Sequence, residues 1–344
     1  MIPCVRKHVI SIIKGDGIGP EVIEATEMVM SAVQQKFSLE FEKIYVEAGL
    51  ETYKKYGTNL PESSLKLIRQ SECLLKGPTT TLEESGSELG VPVKIRKIFD
   101  LYANLRPVRT LPRAKALHGN VDVLIVRENT EGMYSGIESE IAPGIGIGIR
   151  LSTEKGARRI FDLAFKKARD RRKMVALGHK ANVLKVTDGI YKRVFEEVSK
   201  LYPDIRTSEE HIDALAMRVA LSPQSYDVIV LENLYGDIIS DLAAGIAGGL
   251  GLAPSANIGD KFAMFEPVHG SAPDIAGKKI ANPIASILSF SMCLDWLGER
   301  EASKAVESSV IKTLEKGEML TPDLGGNAST FDLAGAIAEE VLNL

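Results

Sequence analysis

The stretch HVISIIKGDGIGPEVIEATEMVMSAVQQKFSLEFEKIYVEAG (8–49) holds three elements in a row. Its start, HVISIIKG (8–15), is a short apolar run rich in isoleucine and closed by glycine, which reads as a strand. GPEVIEATEMVMSAVQQKF (19–37) opens with Pro20 and carries apolar residues at 22, 23, 29, 30 and 33, so it reads as a helix. FEKIYVEAG (41–49) is a strand again. The pattern continues outward. SLKLIRQSE (64–72) is helical and CLLKGP (73–78) is a strand ending in a turn. VDVLIVRE (121–128), KMVALGHKA (173–181) and YDVIVLEN (226–233) are further strands, and VTDGIYKRVFEEVSKLY (186–202) is a helix. This alternation predicts an α/β layered fold with much of its sheet parallel.

Two stretches break the alternation. SGIESEIAPGIGIGIR (135–150) is rich in glycine and isoleucine with period two. No helix follows it directly, so it reads as extended arm strands and not as a phosphate loop. AAGIAGGLGLAPSANIG (243–259) is small and flexible, which suits a hinge and cofactor-side loops. GDGIGPE (15–21) misses the dinucleotide fingerprint because Pro20 stands where the third glycine belongs. It reads as a tight strand-to-helix turn at the edge of a cofactor site.

A chain of 344 residues is longer than one packed core usually grows, so two domains are expected. The residues are 44% hydrophobic and 26% charged, as in an ordinary globular enzyme. A net charge of −4 gives no reason to expect nucleic acid or a membrane surface as partner. The densest basic run, RDRRK (169–173), reads as a solvated helix end or loop. VISII, near the start, is too short for a secretion signal, and no stretch approaches the ~18–20 apolar residues of a membrane span. Cys4, Cys73 and Cys293 are odd in number and have no CxxC spacing. They suggest a reducing compartment, with neither a disulfide framework nor a zinc site, and the cytoplasm is the default location.

The strongest chemical signal is NLYGDIISDLAAG (233–245). Asp237 and Asp241 are four apart in a helical pattern, so both carboxylates share one face. Such a pair alone is usually a solvated face. Here the neighbours are apolar and no Lys or Arg lies between 219 and 260 to offset the repulsion. Paired hard oxygens then suit Mg²⁺ or Mn²⁺. Arg96, Arg106 and Arg127 are the second signal, because guanidinium forks converging from several elements would bind carboxylates. Arg109 and Arg113 read as surface arginines. Lys180, in HKANVLKVTDG (179–189), follows a strand and could act as a base. Tyr134, in EGMYSG, is a candidate acid. FEPVHGSAPDIAGKKIANP (265–283) lacks regular periodicity and is dense in polar and turn residues, which suits a binding loop.

In this order the segments resemble the β-decarboxylating dehydrogenases, the family of isopropylmalate, isocitrate, homoisocitrate and tartrate dehydrogenases. The matching pieces are GDGIGPE, the Arg96–Arg106 stretch, VRENTEGMYSG, HKANVL, HIDALAM, NLYGDIISDLAAG, FEPVHGSAPDIAGKKIANP and LTPDLGGNAS (320–329), which cover almost the whole chain. The resemblance implies a two-domain α/β fold, isopropylmalate dehydrogenase-like and not a Rossmann fold. Residues 1–100 with 249–344 would form the large cofactor-binding domain. Residues 101–248 would form the small domain, with a dimerisation arm near 135–150. The active site would lie in the cleft and be completed by a homodimer, with a tetramer left open.

The resemblance also implies roles. Arg96, Arg106 and Arg127 would hold substrate carboxylates. Asp237 and Asp241 would bind the metal, joined by Asp213 of the neighbouring subunit, which also borders the substrate. Lys180 of the neighbour would deprotonate the C2 hydroxyl, and Tyr134 would protonate the enol after CO₂ leaves. His269, Gly270, Ser271, Ala272, Asp274, Ile275 and Asn282 would bind the dinucleotide. Asp274 with Ile275 resembles the NAD form, since NADP-using relatives resemble Lys–Tyr there. The substrate would be a 2-hydroxy di- or tricarboxylic acid. Isocitrate forms resemble Ser-x-Asn just before the first arginine; this chain has Gly90 and Pro92 there, with Val91 and Val93 beside them. An apolar wall suits an isopropyl group and leaves a carboxylate unpaired. That favours 3-isopropylmalate. Isocitrate, homoisocitrate, tartrate and malate stay open, as does a role for Ser87 and for the backbone at Pro92. Non-catalytic regulatory relatives typically lose a metal aspartate, the lysine or the tyrosine, and all five are present here.

Overall fold

The computed structural model describes residues 5–81 and 88–344. Cys4, Ser87 and the start of the 86–96 run therefore lie outside the described residues. The first segment runs β1 (Arg6–Ile13), α1 (Gly19–Phe37), β2 (Leu39–Tyr45), α2 (Leu50–Tyr56), α3 (Glu62–Ile68) and β3 (Cys73–Lys76). Next come α4 (Val91–Ile98), β4 (Ala103–Arg109), β5 (Asp122–Glu128) and a hairpin of β6 (Glu138–Ala142) with β7 (Ile145–Gly148). Then follow α5 (Glu154–Arg169), β8 (Met174–His179), α6 (Thr187–Ser199), β9 (Arg206–His211), α7 (Ile212–Leu221), β10 (Val228–Leu231) and α8 (Asn233–Ala247). The chain ends with β11 (Pro254–Ile258), β12 (Ala263–Pro267), α9 (Ile284–Trp296), α10 (Arg300–Lys316) and α11 (Thr330–Asn343).

Ten strands form one continuous sheet in the order β2-β1-β3-β12-β11-β4-β5-β10-β8-β9. The outer pairings are parallel, as the strand–helix alternation predicts. The three antiparallel pairings, β12/β11, β11/β4 and β4/β5, adjoin one another at the centre. They mark where the chain crosses from one half of the sheet to the other and where it returns. The arm hairpin is a separate two-stranded sheet with every residue exposed.

Strand periodicity sends alternate residues to two different cores. Ile12, Val126, Val228 and Val230 face the cluster under α1, α5, α6, α9, α10 and α11. Ile125, Ile229 and Leu231 face a second cluster with Leu215 of α7 and Ile239 and Ala243 of α8. Ile13, Leu74 and Met264 face a third with Leu65 of α3 and Ile95 of α4. Helices thus cover both faces, which explains why these strands read as near-continuous apolar runs. Pro20 sits at the start of α1, Thr153 caps α5, and Ser329 with Asp332 forms a capping box on α11. None of the described helices is long and apolar enough to cross a membrane.

Three local expectations change. The 243–259 stretch is not one flexible loop: α8 continues to Ala247 and β11 occupies Pro254–Ile258. Alanine favours the helix, and pairing with β4 and β12 orders the strand. The 265–283 stretch begins inside β12 and only then becomes irregular. Strands β4 and β9 gave no periodic signal, because ANLRPVR carries a proline and two arginines and RTSEEH is a polar strand at the sheet's edge.

Candidate active site

The carboxylate pair of α8 meets the arginines of the two crossing strands. Arg106 of β4 and Arg127 of β5 are 7% and 1% exposed. Arg106 donates to Asn104 Oδ1 at 2.8 Å, Ser240 Oγ at 2.7 Å and Asp241 Oδ1 at 2.9 Å, and lies 3.3 Å from Asp237 Oδ1. Arg127 donates through Nε and Nη2 to Asn233 Oδ1 at 3.0 and 2.8 Å and through Nη1 to Asp237. Tyr134 donates to the other Asp237 oxygen at 2.5 Å, and the Arg127 guanidinium lies 5.0 Å from the Tyr134 ring centre. The cations that the local sequence lacks are therefore supplied by β4 and β5, and the absence of Lys or Arg in 219–260 is no evidence for a metal.

Burial, then the nearby Arg106 and Arg96, push the Arg127 guanidinium down to about 10. Arg106 is lowered too, first by burial and then by Arg96, with Asp237 opposing. Burial works to raise Asp237, but Arg127 and Arg106 hold it below the usual carboxylate range. Asp241 is raised, by burial and then by Asp237. Burial and the hydrogen bond to Asp237 raise Tyr134, keeping its phenol protonated. Three mutually repelling guanidiniums beside a half-exposed carboxylate form a site suited to anions.

The third arginine is anchored separately. Arg96 of α4 donates to Glu266 Oε1 at 3.2 Å, and Lys76 Nζ meets Glu266 Oε2 at 2.8 Å. Asn257 donates to the same carboxylate at 2.9 Å. Burial works to raise Glu266, but Lys76 and Arg96 outweigh it and bring it down to about 2. Glu266, Lys76, Asn233, Asn104 and Ser240 escaped sequence reasoning. Their only signal was polarity inside or beside apolar runs.

Asp213 is not part of this cluster. Among the described residues no three acidic, histidine or cysteine side chains come together to hold a metal. Asp213 instead sits in the first turn of α7, 68% exposed, and accepts from Lys180 Nζ at 2.6 Å. That hydrogen bond, the largest cause, lowers the Asp213 pKa. Lys180 and Asp213 are therefore one preformed pair, and Asp237, Asp241 and Tyr134 form a separate group of three.

The loop after β12 lines a cavity of about 390 Å³ with Ile18, Gly251, His269, Gly270, Ala272, Ile275, Asn282 and Asp323 among its walls. His269 donates from Nδ1 to Gly270 O at 2.9 Å, while its buried Nε2 has no partner. Burial lowers its pKa, so the ring stays neutral. Asn282 donates to Asp323 at 2.9 Å. Asp274 is exposed outside the cavity wall. Ser271 faces the other way: its carbonyl accepts from Ile18 N at 2.8 Å and its hydroxyl meets Thr80 at 2.8 Å. A Cβ on Gly17 would lie 2.0 Å from Ser271 O, so the GDGIGPE turn is pressed against this loop. Val91 does not form a wall. It is 1% exposed in the core beneath α4, whereas Val93 on the next helical face is part-exposed.

Another cavity, of about 280 Å³, lies on the face of the sheet opposite α8. Its walls include Leu105, Pro107 and Leu124, which alternate along β4 and β5 with the residues facing α8. Arg109 and Glu307 at its rim pair with each other at 3.0 Å.

The model of the isocitrate/isopropylmalate dehydrogenase family matches residues 9–340. The 3-isopropylmalate/3-methylmalate dehydrogenase of Methanocaldococcus jannaschii is 50% identical over 339 residues, covering 97% of this chain and 99% of that protein. The isocitrate/homoisocitrate dehydrogenase of Thermus thermophilus is 45% identical, covering 97% and 99%. The crystal structure of isocitrate dehydrogenase from Methylococcus capsulatus superposes with a TM-score of 0.92 at 42% identity, over 97% of this chain and 99% of that one.

Gly236 tests the arginine geometry. A Cβ there would lie 2.5 Å from Arg127 Cγ and 2.7 Å from its Cβ. Helix propensity alone would make Gly236→Ala stabilising by about 1 kcal/mol. The expected outcome is a folded protein that binds dicarboxylates at least about tenfold more weakly by calorimetry. The acid limb of stability tests Glu266. Its folded pKa of about 2 lies below the unfolded value of about 4.3, so its contribution is present above that value and is lost as pH falls toward 2. Glu266→Gln should cost about 3–5 kcal/mol at neutral pH and flatten the melting-temperature profile between about pH 4 and 2.

Proposed function

The chain belongs to the isocitrate/isopropylmalate dehydrogenase family, and on that premise we propose that it oxidises and decarboxylates a 3-substituted malate, best fitted by 3-isopropylmalate. The observation that carries this reading is the convergence of Arg106 and Arg127 on the Asp237–Asp241 pair beside Tyr134, with Arg96 close enough to act on the same charges from its anchor on Glu266. Part-exposed Val93 of α4 supports an aliphatic substituent in preference to a third carboxylate. Residues 1–100 with 249–344 form one lobe in this reading and 101–248 the other, with the site where β4 and β5 cross between them.

Substrate carboxylates exchange places with Asp237 and Asp241 as partners of Arg106 and Arg127, with Arg96 held alongside by Glu266, fixing the C2–C3 bond against Tyr134. Asp237 and Asp241, one turn apart on one helical face, fit a hard cation such as Mg²⁺ or Mn²⁺ but supply only two ligands, and Asp213 of a second copy is the third. His269 Nε2, buried and unpartnered, fits a hydrogen-bonding dinucleotide in its cavity, and exposed Asp274 beside Ile275 favours NAD over NADP. A cation held by these aspartates would supply Lewis-acid chemistry beside the C2 oxygen, and a dinucleotide held by the His269 loop would supply the hydride acceptor. Lys180 of the second copy takes the C2 hydroxyl proton. The C3 carboxylate leaves as CO₂. The Tyr134 phenol then gives its proton to C3, and its raised pKa keeps that proton in place until the enol forms.

A homodimer is part of the same proposal. Lys180 and Asp213 stand apart from Tyr134, Asp237 and Asp241 within one chain. The arm exposes Ile141 at 61% and Ile145 at 54%, and α7 and α8 expose Met217 at 56% and Ile238 at 59%. Apolar surface of this kind suits burial against a second copy.

Measuring kcat/KM for 3-isopropylmalate, isocitrate, homoisocitrate, tartrate and malate, each with NAD and NADP, tests the assignment. The expected optimum is 3-isopropylmalate with NAD; a preference for isocitrate or homoisocitrate beyond about tenfold overturns the substrate. Ile141→Glu with Ile145→Glu should give a folded monomer, by circular dichroism and light scattering, that binds Mn²⁺ and substrate poorly. A fully active monomer would refute the shared site.

A further inference from the structure

Arg150 belongs to none of the segments that carry chemistry. It follows the arm and precedes α5, and its side chain is 12% exposed. Its Nη2 lies 2.6 Å from Asp188 Oδ1, at ion-pair distance without hydrogen-bond alignment, and 3.5 Å from Glu232 Oε2. Nη1 donates to Tyr235 OH at 2.8 Å, and the guanidinium stacks 4.6 Å from the Tyr235 ring centre. Both carboxylates are 2% exposed. Burial raises Glu232, and the neighbouring Glu128 and Asp188 add to that rise, while Arg150 opposes it. Burial works against the charged form of Arg150, yet Glu232 and Asp188 outweigh it. One cation thus holds two buried anions that would otherwise repel.

The two anions sit on different functional elements. The second oxygen of Asp188 accepts the backbone N–H of Lys180 at 2.5 Å. Glu232 is the N-cap of α8 and accepts from Leu234 N at 3.1 Å. We propose that Arg150 is a positioning residue that ties the Lys180 loop to the cap of the helix bearing Asp237 and Asp241. The half-site that a chain lends to a second copy and the half-site it keeps are then held in one register. The functional consequence rests on the shared-site reading above; the tie itself does not.

Amide hydrogen exchange reads the tie without substrate. In Arg150→Met the Lys180 and Leu234 amides should exchange at least about tenfold faster than in the wild type, while α11, remote from both, stays protected. Unchanged exchange at both amides overturns the proposal, whatever the substrate. Should Arg150→Met fail to fold, Arg150→Lys decides instead: a single ammonium lacks the fork that spans both carboxylates, so at least one of the two amides must lose protection. Hybrid dimers read the consequence. Paired with a Lys180→Met chain, an Arg150→Met chain lends the only lysine; paired with an Asp237→Asn chain, it keeps the only intact helix. Each hybrid should turn over at least about fivefold more slowly than its wild-type counterpart, with KM for NAD unchanged. A hybrid at the wild-type rate removes the link to that half. A wild-type protein inactive with every acid would sink the functional reading and leave the exchange result standing.

Discussion

A guanidinium group that is 1% exposed must find its neutralising charge inside the protein, and Arg127 finds it on α8. Its Nε and Nη2 clasp Asn233, its Nη1 meets Asp237, and Gly236 leaves the space for its stem. A charge left buried alone is strongly destabilising. The position of α8 over the sheet is therefore dictated by Arg127 as much as by the apolar packing of Ile239 and Ala243 beneath it. Tyr134 and Arg106 take their places from the same carboxylate.

The sheet's topology makes this convergence possible. Parallel units in both halves keep their helices on the two faces, and the antiparallel strands between them bring Arg106 and Arg127 side by side. β12 delivers Glu266 to the same centre, where its carboxylate accepts from Arg96 directly and from Lys76 and Asn257 beside it. Because all three arginines are fixed by buried acceptors, little conformational entropy is lost when they receive an anion. The loop after β12 is fastened in turn, since Gly17 and Ile18 press on Ser271.

Division of the acid–base groups is the other organising feature. Tyr134 is held protonated by burial and by Asp237, and Lys180 is paired with Asp213 elsewhere on the surface. In the proposed function these are the acid half and the base half of a site that two chains share. Arg150 stands between them, bound to the acid half through Glu232 and Tyr235 and to the base half through Asp188.

Much of this was legible in the sequence, for a physical reason. Apolar periodicity and turn residues act locally, so β1, α1, β3, β5, β8, α6 and β10 could be read from 8–49 and from the later runs within a few residues. The spacing of Asp237 and Asp241 likewise put both on one helical face. Asp213, by contrast, entered only through family resemblance, because no spacing links it to the pair. Strands β4 and β9 were missed because their order comes from ladder partners far along the chain, not from their own composition. The same distance explains the rest. Arg106 and Arg127 lie more than a hundred residues before the carboxylates they neutralise, and Arg150 lies 38 and 82 residues from Asp188 and Glu232. The sequence determined which segments form strands and helices and which residue types carry the chemistry; only the tertiary structure decided which charges share a buried space, because the partner of a buried ion is chosen by the fold and not by its neighbours along the chain.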